Sequence, residues 1–172
     1  EAVAQLDRPA SLEPAPLPAS EFYARHTFHG PLLRGIARID GLDARTLVGA
    51  VRAARPRELG PALRSFVLDP LLVDSSFQLA AYFMLVRHRR AGLPLGFDEL
   101  RVLAPVAPGA TITCIVRLEA ASGDLFAGHI DYLDASGALV AQLRGVRGAF
   151  KLVESPAPAP QRRSPSTMAS MT

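Results

Sequence analysis

The apolar segment 71–86 constrains the fold more than any other part of the chain. Its side chains are apolar nearly all round a helix, apart from a few polar residues near its start. Asp69-Pro70 predicts where the helix begins, because Asp caps free N–H groups and proline fits the first helical turn. The basic cluster 87–90 predicts where it ends. A helix with this pattern must be buried on most sides, and a lone helix becomes that buried when a curved sheet wraps it.

Strand-like segments flank this helix on both sides. Ahead of it, apolar residues within 36–51 surround Asp40-Gly41 and predict two strands joined by a turn there. Behind it, side chains alternate with a period of two, as in a sheet with one buried face. The strands predicted behind the helix are 97–103, 111–119, 125–133 and 138–150. This order predicts an α+β hot-dog fold, with an antiparallel sheet wrapped around one long central helix.

Proline and alanine dominate both ends of the chain. Such sequences form stiff, extended spacers, so residues 1–21 and 154–172 are expected to be linkers. Residues 167–172 also resemble the start of a common expression tag. Between the linkers, residues 22–153 are expected to form one folded domain, which suits a chain of 172 residues. Spacers on both sides suggest a domain cut from a longer multidomain chain.

Charge and cysteine content narrow the range of partners. The net charge of +3 comes from scattered arginines, with no basic stripe interleaved with aromatics, which argues against nucleic-acid binding. No apolar run is long enough to span a bilayer, so no membrane association is expected. Cys114 is the only cysteine, which excludes an internal disulfide and argues against a cysteine-based metal site. These features predict a protein of the reducing cytoplasm.

Asp74 and Gln78 are the polar pair that points to chemistry. Because they are four residues apart on the predicted helix, both project from one face. Burying a carboxylate is costly unless it is paired or used, and burial favours the protonated form that a general acid needs. The alternative is that Asp74, close to the helix start, only complements the helix dipole. The residues alone favour neither reading.

Three short motifs occur in a fixed order along the chain. They are the aromatic segment 22–31 that ends in Gly-Pro, the Asp74-x-x-x-Gln78 pair, and a Leu-Pro turn at 93–94 before a strand. Each is weak alone, but together they resemble the second half of a polyketide synthase dehydratase domain. The resemblance covers about residues 22–150.

This resemblance implies an activity and a mechanism. The substrate would be a 3-hydroxyacyl thioester on the phosphopantetheine arm of an acyl carrier protein. A histidine from the first half would remove the α-proton, and Asp74 would protonate the leaving hydroxyl to give an enoyl thioester. Gln78 would orient Asp74 or the departing water. No metal or redox cofactor is implied, because the thioester already acidifies the α-carbon.

The same resemblance assigns the residues around the reacting groups. His29 stands before Gly-Pro, where the family often has tyrosine, and would line the active site as a further catalytic residue. The residues expected to bind substrate are Tyr23, Phe28, Gly30, Pro31, Phe77 and Pro94.

The resemblance covers one half of the family pattern, and the half that would carry the catalytic histidine is expected to be missing from this sequence. The chain is therefore expected to pair with a first-half hot dog or with itself as a homodimer. A homodimer would present two copies of Asp74 and would rely on His29 as base. Two rival functions stay open: a non-catalytic docking or structural module, and an enoyl-thioester isomerase or thioesterase on the same fold.

Overall fold

A curved antiparallel sheet and one long helix make up most of the structure. The computed structural model describes residues 9, 11–55, 58, 66–122 and 125–152, with backbone alone at 122 and 150–152. The main elements are α1 (Ala19–Arg25), a 3-10 turn (Pro31–Leu33), β1 (Ile36–Leu42), β2 (Thr46–Arg52), α2 (Pro70–His88), β3 (Arg90–Gly96), β4 (Glu99–Val102), β5 (Thr111–Ser122), β6 (Leu125–Leu133) and β7 (Leu139–Leu152). No helix in these ranges has the length and apolar character needed to cross a bilayer.

The described strands form a seven-stranded sheet around α2. Their order is β1-β2-β5-β6-β7-β3, with β4 also paired to β7. Leu79, Tyr82 and Phe83 of α2 are fully buried in one apolar cluster with the strands. On β5, alternate residues face this cluster, as the period-two pattern predicts: Ile112, Cys114 and Val116. The predicted α+β hot-dog fold is confirmed.

Asp69 fixes the start of α2, as the sequence predicts. Its Oδ1 accepts a hydrogen bond from the backbone N of Leu71 at 2.9 Å. Its Oδ2 accepts another from the backbone N of Ala54, just beyond β2. At the other end the helix stops at His88, inside the predicted basic cluster, and Arg89 adopts the left-handed conformation with φ 53°. One carboxylate therefore caps the helix and ties it to the sheet.

The predicted turn at residues 40–41 is wrong, because these residues belong to β1 and the chain turns at 43–45. Asp43 makes that turn, since its Oδ1 accepts from two backbone N–H groups of the turn, each at 2.7 Å. Gly41 instead allows a neighbouring segment to approach. A Cβ there would lie 2.7 Å from the carbonyl oxygen of Glu13. A glycine needed for close backbone approach looks like a turn glycine in sequence.

The edge strand β3 occupies a segment that the sequence predicts to be a helix stop and a Leu-Pro turn. It pairs with β7, with Pro94 opposite Gly148. Proline is tolerated on an edge strand, because no second neighbour needs its missing N–H. The next predicted strand, 97–103, is present as the shorter β4. Pairing with a strand distant in sequence thus outweighs the local breakers.

The described part of the expected first linker contacts the domain. Glu13 exchanges two backbone hydrogen bonds with Leu42 of β1, at 2.9 and 3.0 Å. The backbone N and O of Leu17 both bind the hydroxyl of Tyr82, at 3.2 and 2.7 Å. Residues 1–8 and 10, and the second expected linker at 154–172, lie outside the described residues. The segment ahead of α1 therefore adds contacts to the edge of the sheet and to α2.

Asp131 is a buried charge on the face of β6 that turns away from α2. Its side chain is 0 % exposed. Its Oδ2 lies 2.5 Å from Nη1 of Arg117, and its Oδ1 lies 3.4 Å from Nη2 of Arg144. Oδ1 also accepts from Nε2 of Gln142 at 2.7 Å. The carboxylate is therefore satisfied by two cations and an amide, none of which the sequence analysis singled out.

Candidate active site

Three segments that are distant in sequence line one open cavity. They come from residues 22–33 ahead of β1, residues 74–81 of α2, and residues 91–94 of β3. The cavity measures about 600 Å³ and is bounded mainly by apolar groups. Asp74 and Gln78 both line it, so we call it the Asp74 cavity. The hot-dog topology brings these segments together, because β3 follows α2 directly and runs back alongside it.

Asp74 lies in the second turn of α2 and faces this cavity. Its side chain is 42 % exposed, so the burial expected from the apolar pattern of the helix is wrong at this position. Its Oδ2 accepts a hydrogen bond from Nε2 of Gln78 at 2.7 Å. The expectation that the two side chains share one face is confirmed. The carboxyl group is thus held on one side and open to the cavity on the other.

Gln78 is buried and uses both ends of its amide. Besides Asp74, its Nε2 donates to the carbonyl oxygen of Leu33 at 2.8 Å. Its Oε1 accepts from the hydroxyl of Tyr23 at 2.5 Å. Each partner belongs to a different part of the chain, so the amide is held in one orientation. The sequence motif gave no signal for Leu33, whose contribution is a backbone oxygen presented by the 3-10 turn.

Tyr23 lies behind Gln78 and does not line the cavity, although the resemblance assigned it to substrate binding. Its hydroxyl accepts from the backbone N of Ile36 at 2.9 Å, and the guanidinium carbon of Arg34 lies 5.6 Å from its ring centroid. Burial raises the pKa of Tyr23 to about 12, and the negative charge of Asp74 acts in the same direction. The phenol therefore stays protonated at any ordinary pH.

His29 faces Asp74 within the same chain. Its Nε2 lies 3.7 Å from Oδ2 of Asp74, and its side chain is only 15 % exposed. Its Nδ1 is hydrogen-bonded to Oγ1 of Thr27, which also accepts from the backbone N of His29 at 3.1 Å. The ring stacks on Phe28 with centroids 4.7 Å apart. These contacts fix the imidazole with one nitrogen directed at the carboxyl group.

The remaining expected substrate contacts divide into two groups. Phe28, Phe77 and Pro94 line the Asp74 cavity. Gly30 and Pro31 do not line it; they begin the 3-10 turn that leads to Leu33. The cavity also includes eight residues that were not predicted to belong to the site: Phe22, His26, Thr27, Leu33, Ala81, Ala91, Gly92 and Leu93. A hydroxyl two residues before a histidine is the only local signal that could have suggested Thr27.

The serines beside Asp74 are not placed for chemistry. Ser76 Oγ binds the hydroxyl of Tyr132 at 2.7 Å inside the core. Ser75 Oγ is buried, has no hydrogen-bond partner among the described residues, and packs against Gly35, where a Cβ would approach it to 1.8 Å. Neither serine lines the cavity, whose polar side chains are the carboxyl group of Asp74, the amide of Gln78, the hydroxyl of Thr27 and the imidazoles of His26 and His29.

Three solved structures with a similar fold are dehydratase domains. A bifunctional dehydratase-cyclase domain in ambruticin biosynthesis is 23 % identical, with a TM-score of 0.66, and the match covers 87 % of this chain and 51 % of that one. An isomerase-inactive variant of GphF dehydratase 1 is 22 % identical, with a TM-score of 0.67 and coverage of 90 % and 54 %. The dehydratase domain from the CurK module of the curacin polyketide synthase is 22 % identical, with a TM-score of 0.59 and coverage of 80 % and 47 %. The chain thus spans about half the length of these solved domains, and they share its fold.

A family model identifies the family itself. The model described as the polyketide synthase dehydratase N-terminal domain matches residues 1–158, while a comparison with curated proteins gives no significant match. This description names the first half of the domain, whereas the motifs resembled the second half, so the family is confirmed and the half is not. Because the match covers nearly the whole chain, this hot-dog domain belongs to the polyketide synthase dehydratase family.

Proposed function

We propose that this chain supplies the acid of a dehydratase site that acts on 3-hydroxyacyl thioesters carried by an acyl carrier protein. The single observation that carries this proposal is the Asp74–Gln78 pair, placed in a largely apolar cavity of about 600 Å³. A carboxyl group fixed by an amide and open to an apolar cavity suits proton transfer to a bound acyl chain.

In the proposed reaction a base removes the α-proton, and the electron pair forms the new α,β double bond. The bond from the β-carbon to the hydroxyl oxygen breaks, and Asp74 donates its proton to that oxygen, which leaves as water. Since Oδ2 of Asp74 already accepts from Gln78, Oδ1 is the oxygen that carries the proton. No cofactor takes part in this scheme, because the thioester carbonyl stabilises the negative charge that develops at the α-carbon.

The base comes from one of two places. The family mechanism supplies it from the other hot dog of a double domain, which fits a chain half the length of the solved domains. The alternative within this chain is His29, whose Nε2 lies 3.7 Å from the carboxyl group. An acid and a base this close would act on the same face of the substrate.

Pairing with another hot dog is part of the proposal. Large apolar side chains stand exposed at the mouth of the Asp74 cavity and along β3: Phe28 is 83 % exposed, Leu93 60 % and Leu95 65 %. Exposed apolar side chains grouped in this way favour an interaction surface. We propose that a partner half covers it in a complete synthase, and that the isolated chain forms a homodimer. A cytoplasmic setting stays a prediction.

The test is a dehydration assay on the chain alone and after addition of a histidine-bearing first-half hot dog. A 3-hydroxyacyl thioester on a carrier protein is the substrate, and mass spectrometry follows the loss of water. Asp74→Asn is expected to abolish turnover, while Asp40→Asn, an exposed carboxylate on β1 paired with Arg38, keeps it. Absence of turnover in both arrangements, with folded proteins, would exclude the dehydratase and leave a docking or structural module.

Double-bond isomerisation is the second candidate. It needs an acid–base pair but no leaving hydroxyl, and His29 with Asp74 forms such a pair in one half. A solved structure of similar fold is described as an isomerase-inactive variant, so isomerase activity occurs on this fold. An enoyl thioester in place of the hydroxyacyl substrate separates the two: migration of the double bond without hydration favours the isomerase.

A further inference from the structure

We infer that Tyr23 is a positioning residue: its hydroxyl sets the orientation of the Gln78 amide and so determines which oxygen of Asp74 is left to carry the acidic proton. This inference rests on the proposed acid role of Asp74 and goes beyond it. It also replaces the substrate contact that the family resemblance implied for Tyr23.

The direction of the hydrogen bonds begins at the backbone. The N–H of Ile36 donates to the Tyr23 hydroxyl oxygen at 2.9 Å, and a backbone N–H can only donate. The phenol therefore directs its own proton to its other partner, Oε1 of Gln78, at 2.5 Å. Both groups are buried, with Tyr23 6 % and Gln78 3 % exposed. Bulk water therefore does not compete for either bond.

The same direction continues through the amide. With its oxygen bound to the phenol, Gln78 turns its nitrogen to two acceptors, the carbonyl oxygen of Leu33 and Oδ2 of Asp74. A flipped amide would place its oxygen against both acceptors and its N–H groups against the phenol. The hydroxyl of Tyr23 thus acts on Asp74 at a distance, through one rigid amide.

Burial keeps this chain of bonds in one protonation state. The pKa of Tyr23 is raised to about 12, so the phenol remains a donor across the range in which a carboxylic acid works. Arg34 reinforces the position of the ring from the solvent side. Its Nε also donates to the carbonyl oxygen of His29 at 3.0 Å, which links the Tyr23 side of the network to the His29 segment.

The chain offers a matched pair of variants for the test. Tyr23→Phe removes the hydroxyl that binds Gln78. Tyr82→Phe removes another buried hydroxyl, which among the described residues binds the backbone of Leu17 alone and lies outside the Asp74 cavity. Circular dichroism and thermal unfolding establish that both variants fold. Each variant loses the hydrogen bonds of one buried hydroxyl, so the two are expected to lose a similar amount of stability.

The first readout needs no activity. Nuclear magnetic resonance of the Gln78 side-chain amide is expected to show its two N–H signals shifted and exchanging faster with solvent in Tyr23→Phe, and unchanged in Tyr82→Phe. Unchanged Gln78 signals in a folded Tyr23→Phe variant would overturn the inference. Because this measurement is made on the chain alone, it decides the role of Tyr23 toward Gln78 even where no dehydration is found.

The second readout is a double-mutant cycle on turnover. Tyr23→Phe is expected to lower kcat by roughly 10- to 100-fold with little change in KM, since it misorients the acid without touching substrate. In a Gln78→Ala background the same change is expected to have no further effect, because the phenol acts only through the amide. Equal losses in both backgrounds, or a loss confined to KM, would overturn the inference.

Discussion

Single residues differ in how far the sequence reveals their role. Asp74 and Gln78 are recognisable, because four residues on a helix guarantee a common face. The part played by Tyr23 is not, since it depends on a contact with Gln78 across 55 positions. The exposure of Asp74 was also missed. The apolar pattern of α2 predicts that the helix is buried. Which of its faces borders a cavity depends on how residues 22–33 fold against it.

Asp131 gives a prediction at the same scale. Asp131→Asn keeps the shape of a fully buried side chain but removes the charge that faces Arg117 and Arg144. We expect the free energy of unfolding to fall by about 2–3 kcal/mol, because hydrogen bonds to a charged group are lost in a buried setting. Urea unfolding of the two proteins measures the difference.

The control for this prediction is an exposed ion pair. Asp98 pairs with Arg147 at 2.7 Å, with side chains 60 % and 55 % exposed. Asp98→Asn is expected to change stability by less than about 1 kcal/mol, because solvent screens exposed pairs. If both substitutions had the same small effect, the Asp131 cluster would contribute nothing beyond an ordinary surface contact.

Among the elements, those defined by local chemistry were predicted and those defined by distant pairing were not. The start of α2 follows from Asp69-Pro70 alone, and the strands of the meander follow from alternation. In contrast, β3 contains Gly92 and Pro94, which locally signal a break, and it exists because β7 offers it a partner. The turn predicted at residues 40–41 is wrong for the same reason. Gly41 is required by the close approach of Glu13, which is distant in sequence, and not by the turn between β1 and β2.

Asp69 provides the prediction at this scale. Asp69→Ala is expected to lower the free energy of unfolding by about 1–2 kcal/mol, because α2 loses its cap. The backbone N–H of Ala54 loses its acceptor as well, so we expect a loss of free energy of unfolding near the upper end of this range. Asp69→Asn keeps an oxygen that can accept from Leu71 but sets its NH2 group against the N–H of Ala54, so it is expected to lose less stability than Asp69→Ala. Equal losses in both variants would show that the bond to Leu71 contributes little, and that the negative charge or the bond to Ala54 stabilises this end of the helix.

At the scale of the whole molecule, the tyrosines link stability to alkaline pH. Tyr23, Tyr82 and Tyr132 are all buried, and burial raises the pKa of each phenol above its ordinary value. The folded state therefore favours the neutral phenol. The contribution of the neutral phenols to the free energy of unfolding is fully present below about pH 10, the phenol pKa in the unfolded chain. It is lost as the pH rises through the phenol pKa of the folded state, about 12 for Tyr23.

We therefore expect the free energy of unfolding to fall steadily as the pH rises from about 10 towards 12. The chain has no tryptophan, so near-ultraviolet absorbance reports tyrosinate without interference. In the native protein this absorbance is expected to rise together with loss of the far-ultraviolet circular dichroism signal. In denaturant it is expected to rise near the ordinary phenol pKa. Phenolate that formed at pH 10 with the secondary structure intact would contradict the burial of these rings.

The position of Cys114 has a consequence for how the protein can be observed. It is the only cysteine of the chain, fully buried in β5, between Gly49 of β2 and Tyr132 of β6. Burial raises its pKa far above the usual range of a thiol, so the reactive thiolate forms only when the strands separate. The rate at which this sulfur is alkylated therefore reports how often the sheet opens spontaneously. Any partner or acyl chain that binds the folded domain is expected to lower this alkylation rate, whether or not a reaction follows.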